Sequence, residues 1–146
     1  MIRFGIYGLL GWCGEVVWTA IVDNIEALLA GRAIDRRLMG YTYLWMLPIY
    51  GAAGMVFEVA HAAMASWVWP LRGLTYMLVC FAIEYASGWS IQQATGEIPW
   101  DYSDRRWHVH GLIRLDYAPV WFSAGLLFDV GERWVHVVES ALRAAS

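Results

Sequence analysis

Four long apolar stretches run along the chain, separated by two polar loops and one tight turn. They cover about residues 2–22, 43–66, 71–91 and 112–136. Each approaches the roughly 20 residues an α-helix needs to cross the hydrocarbon layer of a bilayer. Backbone groups in lipid must be satisfied within their own segment, so helices are the expected form. The pattern predicts an all-α polytopic membrane protein, one domain built as a four-helix antiparallel transmembrane bundle. The first helix is expected to continue through Ile25–Ala30 and to stop at Gly31, a natural C-cap. Pro48 falls in the first turns of the second helix, where proline costs least. Pro70-Leu71-Arg72-Gly73 predicts a tight connection, and Gly96 with Pro99 ends the third helix. No small-residue cleavage site follows a charged start, so the first stretch reads as a retained span.

A frame recurs inside the four stretches: an aromatic residue, a small residue or cysteine four later, and an acid four after that. Its copies are Tyr7-Gly11-Glu15, Tyr50-Gly54-Glu58, Tyr76-Cys80-Glu84 and Trp121-Gly125-Asp129. At 100° per residue, positions four apart share one helix face. The frame therefore predicts four helices that each bring one carboxylate to a shared interior, with His61 at the edge of the second stripe. Small residues on that stripe let neighbouring helices approach closely. If the fourth copy belongs to the frame, Asp129 faces other helices and not lipid; otherwise it is interfacial.

Composition supports the membrane reading. Hydrophobic residues make up 60% of the 146 residues and charged ones 16%, too few to give a soluble domain of this size a polar surface. The net charge of −3 gives no case for nucleic acid. All ten basic side chains counted as Lys or Arg are arginine. Without lysine the chain has no Walker A loop and no Schiff-base nucleophile. Cys13 and Cys80 stand alone in apolar runs and read as small core residues, not as a disulfide or metal pair. Arg32, Arg36, Arg37, Arg105, Arg106 and Arg114 lie in or beside the two long loops, against Arg3, Arg72, Arg133 and Arg143 on the opposite side. That bias places the long loops in the cytoplasm and both termini outside.

The chemistry-bearing candidates are Glu15, Glu58, Glu84, Asp129 and His61 in the interior. An acid in a bilayer is protonated, paired or facing water. Functionally these five form a proton- or cation-linked site; structurally they are neutral acids hydrogen-bonded between helices. Glu15 and Glu84, on spans that run the same way, are expected at similar depth, where two carboxylates cannot easily both ionise. Glu58-Val59-Ala60-His61 is a Glu-x-x-His, and Glu132 and His136 could add metal ligands. Carboxylate di-metal bundles use two such motifs and this chain has one, so no metal or cofactor is expected. The long loop Gln92–Gly111 holds a second candidate, Trp100, Asp101, Tyr102, Ser103, Arg105 and Arg106, with Asp104, His108 and His110 beside them. It reads either as a headgroup or partner site, or as an interfacial anchor in which Asp101 caps the following turn.

Trp100-Asp101-Tyr102-Ser103, Gly111-Leu112-Ile113 and Leu115-Asp116-Tyr117-Ala118 resemble the last third of the vertebrate transmembrane protein 229 family. That family shares a domain with bacterial type IV ABC-transporter (CmpB-like) membrane proteins. The segment from Trp45 to Gly51 and the Glu15-Val16 pair also match, so the resemblance covers nearly the whole chain. Met39-Gly40-Tyr41 and Leu44-Trp45 stand where the bacterial branch often has Arg-Gly-Phe and Gly-Pro, so the first loop is similar to the vertebrate branch. The resemblance implies a small transport-related membrane protein, in the inner membrane if bacterial, that relies on a separate ATPase or other membrane subunit. Self-association into a homo-oligomer is a further option. The alternatives are a non-catalytic scaffold or lipid-binding subunit, in which the acids only hold helices together, and a membrane metalloenzyme. A non-enzymatic role is expected.

Overall fold

Helices form in all four apolar stretches, but with limits of their own. The computed structural model describes residues 1–145. Its elements are α1 (Ile2–Leu29), α2 (Met46–Ala63), α3 (Trp69–Thr95), a hairpin of β1 (His108–Val109) and β2 (Ile113–Arg114), a 3₁₀ turn at Leu115–Tyr117, and α4 (Ala118–Ala144). Gly31 ends α1 as expected. Its φ of +67° allows its N–H to reach Leu28 O and the N–H of Arg32 to reach Ala27 O, a Schellman stop. Pro70 lies in the first turn of α3 and left-handed Gly96 caps its end. The 18 residues of α2 make it the shortest helix, because residues 43–45 and 64–66 lie outside it.

The start of the fourth stretch differs from expectation. Residues 112–117, read as the beginning of a span, form β2 and the 3₁₀ turn instead. His110 and Gly111 both have positive φ, 52° and 71°, and Leu112 N–H donates to Val109 O. Val109–Leu112 is thus a β-turn whose two central residues are left-handed, set inside a three-residue connection between the paired Val109 and Ile113. Leu112 is 1% exposed and Trp100 is 6% exposed. Both pack where Gly88 leaves room on α3, and the Trp100 indole N–H donates to Leu112 O at 3.0 Å. The apolar Leu112-Ile113 pair thus covers α3, and the fourth helix begins only at Ala118 with Pro119 in its first turn.

Among the described residues three helices, α1, α2 and α3, are long and apolar enough to cross a membrane. The fourth carries Asp129, Glu132 and Arg133 near its middle and is not among them. Leu9, Leu10, Val17 and Ile21 on α1 and Leu74 and Leu78 on α3 are exposed, as expected of side chains that meet lipid. The protein is an integral membrane protein.

Contacts divide the chain into two compact units, Met1–Gly54 and the remainder from Met55. The first joins α1 to the first loop and the first half of α2. The second joins the rest of α2 to α3, the long loop and α4. Within it, Arg72 meets Asp129 while Glu84 meets Trp121, so α3 and α4 run antiparallel. Its core is Phe57, Met64 and Tyr76, with Phe128 against them; ring centroids lie 4.8 Å apart for Phe57–Tyr76 and 5.2 Å for Phe57–Phe128.

Candidate functional site

The aromatic–small–acid frame is a pairing pattern between antiparallel helices. In the first unit Gly11 lies against the ring of Tyr50, and Gly54 against the ring of Tyr7. A Cβ at either glycine would overlap the ring. Each aromatic of one copy therefore seats on the small residue of the other. The polar tip then reaches the acid of the partner copy: Tyr50 is a hydrogen-bond partner of Glu15. Thr42 supplies another, its hydroxyl donating to Glu15 Oε2 at 2.6 Å. Around it the first loop lies along α1. The Trp12 indole donates to Tyr43 O, and the Thr19 hydroxyl both accepts from Tyr41 N–H and donates to Tyr41 O. Gly40 packs on the backbone of Val16, which is why no side chain stands there.

The second unit repeats the pattern. Gly125 of α4 lies against Tyr76 of α3. The Tyr76 hydroxyl donates to Asp129 Oδ1 at 2.6 Å, and the Trp121 indole donates to Glu84 Oε2 at 3.2 Å. So Asp129 does face neighbouring helices, and the fourth copy of the frame is used. Glu84 and Asp129 are engaged at separate points along α3 and do not share a partner among these bonds. Three of the frame acids, Glu15, Glu84 and Asp129, accept a hydrogen bond from the aromatic of the paired copy.

A polar cluster forms at the end of this unit where α2 hands over to α3. Asp129 is its centre. Its Oδ2 accepts from Arg72 Nη2 at 2.7 Å and its Oδ1 from the Tyr76 hydroxyl at 2.6 Å, while His61 Nδ1 lies 2.8 Å from Oδ1 and 3.1 Å from Arg72 Nη2, so its tautomer sets which of the two it bonds. Arg72 and Tyr76 donate to this carboxylate as an anion, joined by His61 when its Nδ1 carries the proton. The other ring nitrogen of His61, Nε2, lies 3.5 Å from Glu132 Oε2. His136 Nε2 lies 3.3 Å from Glu132 Oε1 and 3.7 Å from Glu58 Oε1. Side-chain exposure is 14% at Asp129, 27% at His61, 18% at Glu132 and 43% at His136, so His136 is the most exposed of these four groups and Asp129 the least. Tyr76, 0% exposed, joins Asp129 to the aromatic core, its ring packed with Phe57 and Phe128. Among the described residues, no group of three or more His, Cys, Asp or Glu side chains is placed to hold a metal ion.

The cluster gathers two sequence candidates, Asp129 and His61, and brings Glu58 to its edge. It also holds Tyr76 of the frame and Glu132 and His136, the residues set beside the Glu-x-x-His motif, and it adds Arg72. Pro70 and Gly73 flank Arg72 like a turn, but α3 begins at Trp69 and carries it on the face of Tyr76, four residues on. The i, i+3 and i, i+4 spacing of Asp129, Glu132 and His136 sets all three on one face of α4.

The loop candidate is organised around its own turn. Asp101 Oδ1 accepts from Ser103 N–H at 2.8 Å, the capping role considered from the sequence, and hydrogen bonds from Ser103 hold its carboxyl below the ordinary value of 3.8. Gly111 leaves room for both side chains. Trp100 is buried, Tyr102 is half-buried against Tyr117, Arg105 lies 3.6 Å from Asp104, and the Arg106 guanidinium lies over the Trp107 ring. The Arg114 guanidinium hydrogen-bonds Asp116 and lowers its carboxyl too. Carboxyls lowered in the folded loop favour it above pH 3.8 and cease to do so as pH falls through their depressed values. The Ser103 amide is expected to keep its protection from hydrogen exchange at pH 5 and above and to lose it in stronger acid. Asp101→Asn should flatten that profile.

A family model described as Putative ABC-transporter type IV matches residues 2–143. No solved structure matches the chain.

Proposed function

The chain belongs to that type IV ABC-transporter family, and from this we propose that it is a transport-related membrane component with four spans and a charged interior site. The observation that carries the reading is the Arg72–Asp129–His61 cluster. Ionisable groups between apolar helices are costly, and those that persist are paired and commonly mark pathways for ions or substrates. ATP hydrolysis would come from a separate subunit, since a chain without lysine has no P-loop. The test is purification of the full chain from its native membrane in mild detergent, followed by an ATPase assay. A co-purifying nucleotide-binding subunit with hydrolysis above a mock preparation is the expected result. Hydrolysis at mock level would remove the ABC reading.

A specific observation favours the scaffold alternative. Glu15, Glu84 and Asp129 all accept hydrogen bonds from neighbouring segments, which is what acids that hold helices together would do. A host lacking the protein separates the two. If Glu15→Gln and Glu84→Gln reach the membrane and complement fully, those carboxylates are structural. The loop from Trp100 to Arg106 would then be the surface to examine for lipid headgroups or a partner subunit.

The four-span topology carries its own prediction. In a background without Cys13 and Cys80, Arg36→Cys and Arg143→Cys should label from opposite sides of the membrane, Arg143→Cys from outside. Labelling from one side would show that α4 does not cross.

A further inference from the structure

Carboxylates and imidazoles alternate along the polar cluster: Asp129, His61, Glu132, His136, Glu58. The groups facing it are Glu58 and His61 from α2, Arg72 and Tyr76 from α3, and Asp129, Glu132 and His136 from α4. We propose that His136, Glu132 and His61 form a proton relay that carries a proton from the protein surface to the Arg72–Asp129 pair. Alternation is what a relay needs. An imidazole can take a proton on one nitrogen and release another from its second, and a carboxylate can do the same with its two oxygens.

The steps conserve one proton. His136, the most exposed member, takes it up and passes it from Nε2 to Glu132 Oε1, returning to neutral. Glu132, now a neutral acid, turns its O–H toward His61 and gives the proton to Nε2. His61 releases the proton on Nδ1 to Asp129 Oδ1. Only N–H and O–H bonds form and break. The gaps are 3.3, 3.5 and 2.8 Å. The first two are longer than ordinary direct hydrogen bonds and close with small rotations of Glu132 and His136. The proton stops at Asp129 because Phe57, Tyr76 and Phe128 offer no further acceptor beyond the Tyr76 hydroxyl already bonded to it. A protonated Asp129 no longer neutralises Arg72. The Nε of Arg72 is buried without a hydrogen-bond partner among the described residues, and its Nη2, 3.1 Å from His61 Nδ1, is left with that neutral acceptor in place of a carboxylate. Proton arrival thus loosens the joint between α3 and α4.

The inference deepens the transport reading by making the coupling ion a proton, and its test needs neither substrate nor ATPase, so either can fail alone. The full chain in lipid nanodiscs is subjected to a rapid drop in pH and followed by infrared difference spectroscopy. A protonated-carboxyl band should appear and be absent in Asp129→Asn. In Glu132→Gln and His136→Ala the band should reach its normal size but about 100-fold more slowly, the scale of positioned acid–base groups. Free imidazole should restore the rate in His136→Ala. A band that survives Asp129→Asn, or normal rates in both path variants, would overturn the relay. If His136→Ala loses its helical circular dichroism, His136→Gln keeps the bulk without the relay chemistry, and its rate decides.

Discussion

Asp129→Ala is expected to destabilise the second unit by about 3 kcal/mol, the lower end of the range for removing one partner of a buried ion pair. The lower end applies because Arg72 and Asp129 keep 19% and 14% of their side-chain surface. The loss has several parts. Arg72 is left as an uncompensated cation, and the Tyr76 hydroxyl and His61 Nδ1 lose the acceptor they share. Arg72→Leu alone should cost a similar amount. Replacing both by Leu should cost less than either single change, since two apolar side chains leave no charge unpaired. Equilibrium unfolding of the full chain in mixed micelles, followed by tryptophan fluorescence, measures all three. Single losses below about 1 kcal/mol, the value of an exposed pair, would show that the cluster is solvated and its charges independent.

Gly125→Leu is the second large effect expected. A side chain at Gly125 would overlap Tyr76, so α4 must move away from α3 or the ring must leave its seat. Overpacking of this kind costs about 1–3 kcal/mol and sometimes more. The change runs against intrinsic preference, since Leu favours a helix over Gly by close to 1 kcal/mol. Any loss therefore reports the helix contact and not the helix. Tyr76→Ala should by itself cost about 3–5 kcal/mol, because the ring is fully buried. In the double variant the new Leu enters the space left by the ring, so the two effects should fall short of their sum by about 1 kcal/mol or more. Strict additivity would mean that Tyr76 and Gly125 do not seat on one another. In lipid this contact matters more than its area suggests, because close packing and not water exclusion holds helices together there.

The four helices, their apolar faces and the membrane setting were legible in the sequence, because length, hydropathy and helix stop signals act within one segment. Gly31 and Gly96 end helices through their own backbone freedom. The repeated frame was legible as well, since a spacing of four places its members on one face. What that face meets was decided by tertiary structure. The sequence reading sent Glu15, Glu84 and Asp129 to a common interior; the fold gives each the aromatic of its paired copy, Tyr50, Trp121 and Tyr76. A period of 3.6 fixes which side of its own helix a residue occupies, but the antiparallel register between helices fixes which residue stands opposite. The same holds for Arg72, a turn charge by its neighbours in sequence and the partner of Asp129 in the fold. Leu112 and Ile113 show the limit from the other direction. Their apolarity predicted burial correctly, and only the contact with Gly88 on α3 decided that they would be buried in a loop hairpin and not in a helix.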